Sequence, residues 1–250
     1  MSIRSRILRA GRAGAPAAAL LALAAGLAGC TPRPLLERAV AARGGPLHGL
    51  IQRIDAEVYT GLPGPWQWTR ALLAPDRYAW KIQTSRDPDW YLFDGSTVRA
   101  FVGGAEVASD ASPRAPLRSH ARFTAVVNLD ALAAPGVVLA PLAAADLPAE
   151  AREGIEARFA DGAVYRLGFD ERTLLVWAQG PLDLAPIGAG DATVRFADHR
   201  RAGGLLLPFT AAYAFGVRRL ATETVRAACV DPPRLTPASF LQPSALPDCP

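Results

Sequence analysis

Polar and apolar residues alternate in several segments of the chain after residue 53. In the segment 77–84, the even positions are aromatic, aliphatic or threonine, whereas Arg77, Lys81 and Gln83 occupy odd positions. Similar alternation occurs in the segments 53–59, 66–72, 155–159 and 165–169. A period of two residues predicts antiparallel strands with one covered face and one face in water.

Turn and helix signals separate these strands. Asp94-Gly95 lies between two apolar segments, 90–93 and 98–102, and predicts a tight hairpin. A second turn is predicted at Gly188–Asp191. Helices are predicted from Pro34 to Ala42, ending at Gly44-Gly45, from Pro46 to about Gln52 for one or two turns, and between Ser112 and about Ala133 as one helix or two.

The predicted strands number about ten or eleven, which is too many for one sheet to remain flat. We therefore predict an α+β fold that is mainly β. It consists of one strongly curved antiparallel sheet, an open half-barrel, covered by a few helices. Residues 30–250 are expected to form one domain, and its tail, from about residue 232 to 250, is rich in proline.

The N-terminus has the pattern of an export signal. Four arginines (Arg4, Arg6, Arg9 and Arg12) precede an apolar run from about residue 13 to 27. The sequence Leu27-Ala28-Gly29-Cys30 then resembles the lipobox of bacterial lipoproteins, which implies that residues 1–29 are a signal peptide and that Cys30 carries acyl chains. A membrane-spanning helix is the alternative, but about 20 apolar residues are needed to span.

The predicted signal peptide, residues 1–29, accounts for the net positive charge of the chain. The whole chain has 27 basic and 23 acidic residues, and the signal peptide contains four of the basic ones and no acidic one. The remaining chain is therefore neutral, so it has no general electrostatic attraction for phosphate backbones. We expect no nucleic-acid partner.

Cys229 and Cys249 remain as a pair after Cys30 is assigned to lipid. In an exported protein such a pair is expected to form a disulfide, which would tie the proline-rich tail to the domain. The alternatives are two free thiols, or a Cys229 that serves only as a small buried apolar residue.

No cluster of residues with catalytic or metal-binding spacing is found. The three histidines, His48, His120 and His199, are far apart in the sequence, and Asp87, Asp89 and Asp94 do not have the spacing of a calcium loop. We expect no cofactor, no metal and no enzymatic activity, although catalysis by residues distant in sequence is left open.

Aromatic residues are the most distinctive candidates for binding. We predict that the curved sheet forms a hydrophobic hollow that binds acyl chains, with an ordinary packed core as the alternative. The predicted lining consists of Trp66, Trp68, Tyr78, Trp80, Ile82, Trp90, Phe159, Phe169 and Trp177.

Three motifs resemble those of the LolA/LolB-like lipoprotein-carrier half-barrels. They begin at Phe159-x-Asp161-Gly162, at Phe196-x-Asp198-His199-Arg200 and at Phe240-Leu241-Gln242-Pro243. The resemblance covers about residues 34–243. It implies a protein that binds acyl chains or lipoproteins in its hollow, and it makes Leu62 a candidate for insertion into a membrane.

Thr31 stands at the second mature position, where aspartate would be the retention signal in this class, so the resemblance implies anchoring at the periplasmic face of the outer membrane. The alternative is a structural or sensor lipoprotein that uses the same half-barrel to bind another envelope protein, without lipid cargo.

Overall fold

The fold is known from a computed structural model, which describes residues 32–61, 63–83, 87–107, 114–184 and 188–249. Cys30 and Leu62 lie outside the described residues. Two α-helices are present in this part of the chain, α1 (Pro32–Arg43) and α2 (Arg114–Val127). The strands are β1 (Gly49–Val58), β2 (Gly64–Leu73), β3 (Arg77–Gln83), β4 (Asp89–Phe93), β5 (Val98–Val102), β6 (Ala105–Val107), β7 (Val138–Pro141), β8 (Glu153–Arg158), β9 (Val164–Phe169), β10 (Leu175–Leu184), β11 (Gly188–Ala202), β12 (Leu205–Phe215) and β13 (Arg218–Val230).

All thirteen strands belong to one open antiparallel sheet with the order β6-β5-β4-β3-β2-β1-β13-β12-β11-β10-β9-β8-β7. Each half is a meander of consecutive strands, and the two halves join where β1 pairs with β13. The predicted mainly-β half-barrel is confirmed, but the predicted number of strands was too low. β6 and β7 form the two edges of the sheet.

Two local predictions were wrong. The segment from Pro46 to Gln52 is not a second helix, because β1 already begins at Gly49. Gly188–Asp191 is not a turn, because these residues are the first part of β11 and pair with the last part of β10. The predicted helix that precedes Gly44 is confirmed as α1.

Gly44 ends α1 for a steric reason. Its φ is +110°, a backbone conformation that glycine adopts without strain. A Cβ atom at this position would lie 2.9 Å from the carbonyl oxygen of Gly204, in the hairpin between β11 and β12. The close approach of these two backbones places α1 directly on the sheet.

The sheet has two faces with different covers. The inner face, which we define as the face that packs against α1 and α2, holds a large apolar core that includes Ile155, Leu167 and Val194. The outer face is covered in part by the C-terminal segment from Leu235 to Cys249, whose Phe240 packs with Ile51 and Leu92. Among the described residues, no helix has both the length and the apolar character needed to cross a membrane.

Candidate functional site

Most of the aromatic residues of β2 and β3 lie on the inner face beneath α2. Trp68 and Trp80 are in contact with their ring centroids 5.6 Å apart, and Trp80 also stacks on His120 of α2 at 5.3 Å. Tyr78 is fully buried in a cluster with Leu117 of the same helix. By strand alternation, Trp66 and Ile82 share this face. In the structure the rings of Trp68, Tyr78 and Trp80 form a packed layer under α2.

The second half of the sheet brings Phe159 and Phe169 to the inner face as well. Phe169 is fully buried in the main core, and the ring of Phe159 lies 5.5 Å from that of Tyr165. The guanidinium of Arg122, on α2, lies 5.0 Å from the centroid of Phe159.

Trp90 and Trp177 do not share the inner face, so the prediction that one surface carries all nine side chains was wrong. Trp90 packs with the outer-face cluster and lies 5.0 Å from the ammonium of Lys81. The indole of Trp177 covers Gly168, and Trp177 pairs across strands with Arg195. These positions lie on the face of the sheet opposite the inner core. A β-bulge between Leu175 and Trp177 changes the face on which the later residues of β10 lie.

An inner cavity remains between the helices and the sheet. Its volume is about 70 Å³, and its lining includes Leu50, Arg70, Thr124, Tyr213 and Glu223. Sites for drug-sized apolar ligands typically occupy about 300–1,000 Å³. In this conformation the inner cavity is therefore too small to hold an acyl chain.

A buried ion pair lies at the wall of the inner cavity. The guanidinium of Arg70, on β2, bonds to the carboxylate of Glu223, on β13, and their side chains are 14% and 9% exposed. The hydroxyl of Tyr213 donates to the same carboxylate at 3.0 Å and accepts from Arg70 at 3.3 Å. This network links three strands across the centre of the inner face.

The network and its surroundings shift several pKa values. Burial alone would lower the pKa of Arg70, but the carboxylate of Glu223 raises it well above the ordinary value. Burial raises the pKa of Tyr213, and it raises the pKa of Tyr78 to about 12. Burial, together with the nearby charge of Arg70, lowers the pKa of His120 to about 4. His120 is therefore neutral at neutral pH.

Arg70 and Glu223 were missed as candidates from the sequence, although a signal was present. Arg70 lies at the same parity as Trp66, Trp68 and Leu72, so a strand over these residues must place a charge among buried rings. A buried arginine requires a carboxylate partner. The sequence alone could not indicate which of the 23 acidic residues supplies it.

A larger opening lies at the edge of the half-barrel. We call it the α1–β7 groove. It has a volume of about 740 Å³ and lies between α1, β7 and the short turn that follows α2. Its apolar lining includes Leu36, Val40, Leu129, Leu132, Val137 and Leu139, and Arg33, Glu37 and Asp130 also line it.

Arg43 holds the wall of this groove in place. At the end of α1, its guanidinium donates to the carbonyl oxygen of Gly45 at 2.9 Å and lies 3.8 Å from the carboxylate of Asp130. Burial lowers the pKa of Arg43, and the charge of Asp130 opposes this shift. The contact joins the end of α1 to the segment after α2, two of the elements that line the groove.

The remaining polar candidates have local roles. Asp94 accepts hydrogen bonds from the backbone N–H groups of Ser96 and Thr97 and so forms the predicted hairpin turn. Within the described ranges, no group of three or more histidine, cysteine, aspartate or glutamate residues is arranged to hold a metal ion. Cys229, on β13, and Cys249, in the tail, form a disulfide with their Cα atoms 5.7 Å apart.

Comparison with known proteins finds similar structures, but no match to a family model or to a curated protein. No protein-family model matches the chain, and no curated protein matches it. A LolA superfamily protein from Nitrosomonas europaea is similar in structure, with a TM-score of 0.56 and 12% identity over 86% of this chain and 99% of that one. A domain named for outer membrane lipoprotein sorting, from Vibrio parahaemolyticus, has a TM-score of 0.54 and 12% identity over 84% of this chain and 97% of that one. These likenesses confirm that the chain has the fold of the family that the motifs resemble.

Proposed function

We propose that this protein is a lipoprotein of the bacterial cell envelope that binds acyl chains, or other lipoproteins through their acyl chains, in the α1–β7 groove. We further propose that it carries out no catalysis and that it is anchored through Cys30 at the periplasmic face of the outer membrane. The observation that carries the proposal is the apolar groove of about 740 Å³, a size that suits such a ligand.

The position of the groove fits a membrane-anchored protein. Pro32, the first residue of α1, lines the groove and follows Cys30 by two residues. Two residues span at most about 7 Å, so acyl chains on Cys30 would hold the groove close to the bilayer surface. Each methylene transferred from water into an apolar site contributes about 0.8 kcal/mol, so a groove lined by leucine and valine can bind an acyl chain.

The structural neighbours support the same class of ligand. One is named for the LolA superfamily and the other for outer membrane lipoprotein sorting. The proposed ligand site differs from the predicted aromatic lining, because none of the nine predicted residues lines the groove. We propose that the aromatic layer under α2 is a structural core that holds the half-barrel in shape.

Filling the groove should block uptake of an acyl chain. In the full-length chain carrying Cys30→Ser, we expect the fluorescent fatty acid cis-parinaric acid to bind, and Leu139→Trp to weaken its binding at least about fivefold, because the indole occupies apolar volume that the chain needs. The measurement is a fluorescence titration at constant protein concentration.

Val138→Trp is the matched control, because Val138 is the neighbouring residue on β7, is 62% exposed and does not line the groove. This variant should bind as the parent does. Equal weakening in both variants would contradict the groove as the site, and absence of uptake by the parent would contradict acyl binding.

The anchoring proposal has its own test. We expect the parent protein to sediment with membranes, because the acyl chains proposed on Cys30 together provide a stable anchor. Cys30→Ser cannot carry these chains and should appear in the soluble fraction. Cys249→Ser, which keeps the proposed lipidation site, should still sediment with membranes. A Cys30→Ser protein that stayed in the membrane fraction at high salt would show that the anchor lies elsewhere.

A second function, binding of another envelope protein without lipid cargo, is favoured by β7. This strand forms a free edge of the sheet, and its Val138 is exposed. An unpaired edge can accept a strand from a partner. Failure of the parent to bind cis-parinaric acid, as described above, would favour this alternative.

A further inference from the structure

The outer face of the sheet contains a polar cleft that the proposed acyl-binding function does not use. We call it the outer cleft. Its volume is about 400 Å³, and it lies between the first strands of the sheet and the C-terminal segment Leu246–Cys249. The lining includes three basic residues, Arg53, Lys81 and Arg226, with Asp55, Asp248, Gln67, Thr69 and Trp90.

Three lining residues lie in one row across neighbouring strands. Arg53 of β1 pairs with Thr69 of β2, which pairs with Lys81 of β3. Neighbouring strands are about 4.8 Å apart, so the Cα atoms of Arg53 and Lys81 are separated by about 10 Å, with the Thr69 hydroxyl between them. Both long side chains can reach a group that rests on Thr69.

The charges in the cleft are not balanced. Arg226 donates to Asp55 at 2.6 Å, which neutralises that pair. In the part of the chain that the structure describes, neither Arg53 nor Lys81 forms a salt bridge. The ammonium of Lys81 lies 5.0 Å from the centroid of the Trp90 ring, and this contact leaves N–H groups free to donate.

We propose that the outer cleft binds the phosphoryl group of a small polar phosphate ester or of a lipid headgroup. The terminal oxygens of a phosphate, three in a monoester and two in the phosphodiester of a lipid headgroup, can accept hydrogen bonds from the guanidinium fork of Arg53, the ammonium of Lys81 and the hydroxyl of Thr69. The amide of Gln67 lines the space beside this row and can bond to the polar remainder of the ligand.

The disulfide fixes the far wall of the cleft. Cys249 is bonded to Cys229 of β13, so the adjacent Asp248 and Pro247 are held against the sheet. Asp248 contributes negative charge to the lining and opposes an anionic ligand. Its removal therefore provides a variant that should bind more tightly.

Lys81 makes the proposal directly measurable, because it is the only lysine of the chain. The full-length protein in the neutral detergent dodecyl maltoside is acetylated with an amine-reactive ester, and the modification of Lys81 is followed by mass spectrometry. We expect glycerol 3-phosphate to protect Lys81 and glycerol to give no protection.

Variants then test the contribution of the cross-strand row of Arg53, Thr69 and Lys81. Arg53→Gln should weaken protection about tenfold, because a charged hydrogen-bond donor to the ligand is lost. Arg152→Gln removes the same charge from an exposed position outside the cleft and should leave protection unchanged. Asp248→Asn should strengthen protection by about two- to fivefold.

The two sources of phosphate are distinguished in a second arm, in which phosphatidylglycerol or phosphatidylcholine is added to the micelles. Protection by glycerol 3-phosphate shows that a soluble phosphate ester is enough for binding. Protection by a phospholipid, without protection by glycerol 3-phosphate, shows that the ligand is a lipid headgroup. Absence of protection in both arms, or an equal effect of Arg53→Gln and Arg152→Gln, would overturn the proposal. Neither result would affect the acyl-binding test, which uses a different face of the sheet.

Discussion

Replacing Arg70 by methionine is expected to destabilise the folded protein by about 3–5 kcal/mol, the usual effect of removing one partner from a buried ion pair. The substitution leaves the carboxylate of Glu223 buried, with the hydroxyl of Tyr213 as its remaining bonded partner in the network. A single hydroxyl does not compensate for the loss of the counter-charge. The measurement is the free energy of unfolding from urea denaturation.

Two further variants separate charge from packing. Adding Glu223→Gln to Arg70→Met should recover a substantial part of the loss, because the neutral amide requires no counter-charge. Arg226→Met breaks an exposed pair with Asp55, whose side chains are 61% and 36% exposed, and should cost less than about 1 kcal/mol. A cost for Arg70→Met as small as that for Arg226→Met would show that the buried pair does not stabilise this fold.

Reduction of the disulfide between Cys229 and Cys249 is expected to lower the stability by roughly 3 kcal/mol, because the bond closes a loop of about 20 residues and restricts the unfolded chain. For a domain of this size, the change corresponds to a decrease in melting temperature of roughly 6–12 °C. The measurement is thermal unfolding followed by circular dichroism, with and without dithiothreitol.

The control is the double variant Cys229→Ala, Cys249→Ala. It should melt near the temperature of the reduced parent, and dithiothreitol should not change its melting temperature. An unchanged melting temperature for the reduced parent would mean that the tail stays attached through the packing of Phe240 and Leu235 alone.

Alternation predicted most of the sheet because most strands have one apolar and one polar face. It failed at the start of β1, where Leu50 packs in an inner-face cluster and the next residue, Ile51, packs in the outer-face cluster. A strand buried on both sides has no period of two, and its apolar spacing resembles that of a helix. The prediction at Pro46–Gln52 was wrong for this reason.

The turn predicted at Gly188–Asp191 was wrong because pairing with β10 overrides local preference. Gly190 lies opposite Leu182 in a regular ladder, and no single-residue propensity contains this information. The faces of Trp90 and Trp177 were misjudged for related reasons. The aromatic character of a residue does not indicate which face of a strand it occupies, and the β-bulge that moves Trp177 to the outer face is not visible in a pattern of residue types.

The sequence predicted the apolar character of the candidate site but not its location. The sequence indicated an apolar binding surface, but the α1–β7 groove is formed by α1, β7 and a short turn, three elements brought together by tertiary packing. Its residues carry no distinctive motif. The outer cleft depends in the same way on strand register and on the position of the disulfide-bonded tail.

The pairing of the first strand with the last has a consequence for biogenesis. While the polypeptide is being synthesised, β1 has no neighbour on one side until β13 has emerged, more than 150 residues later. Until then each half of the sheet presents a bare edge at the future centre, where other nascent chains can associate.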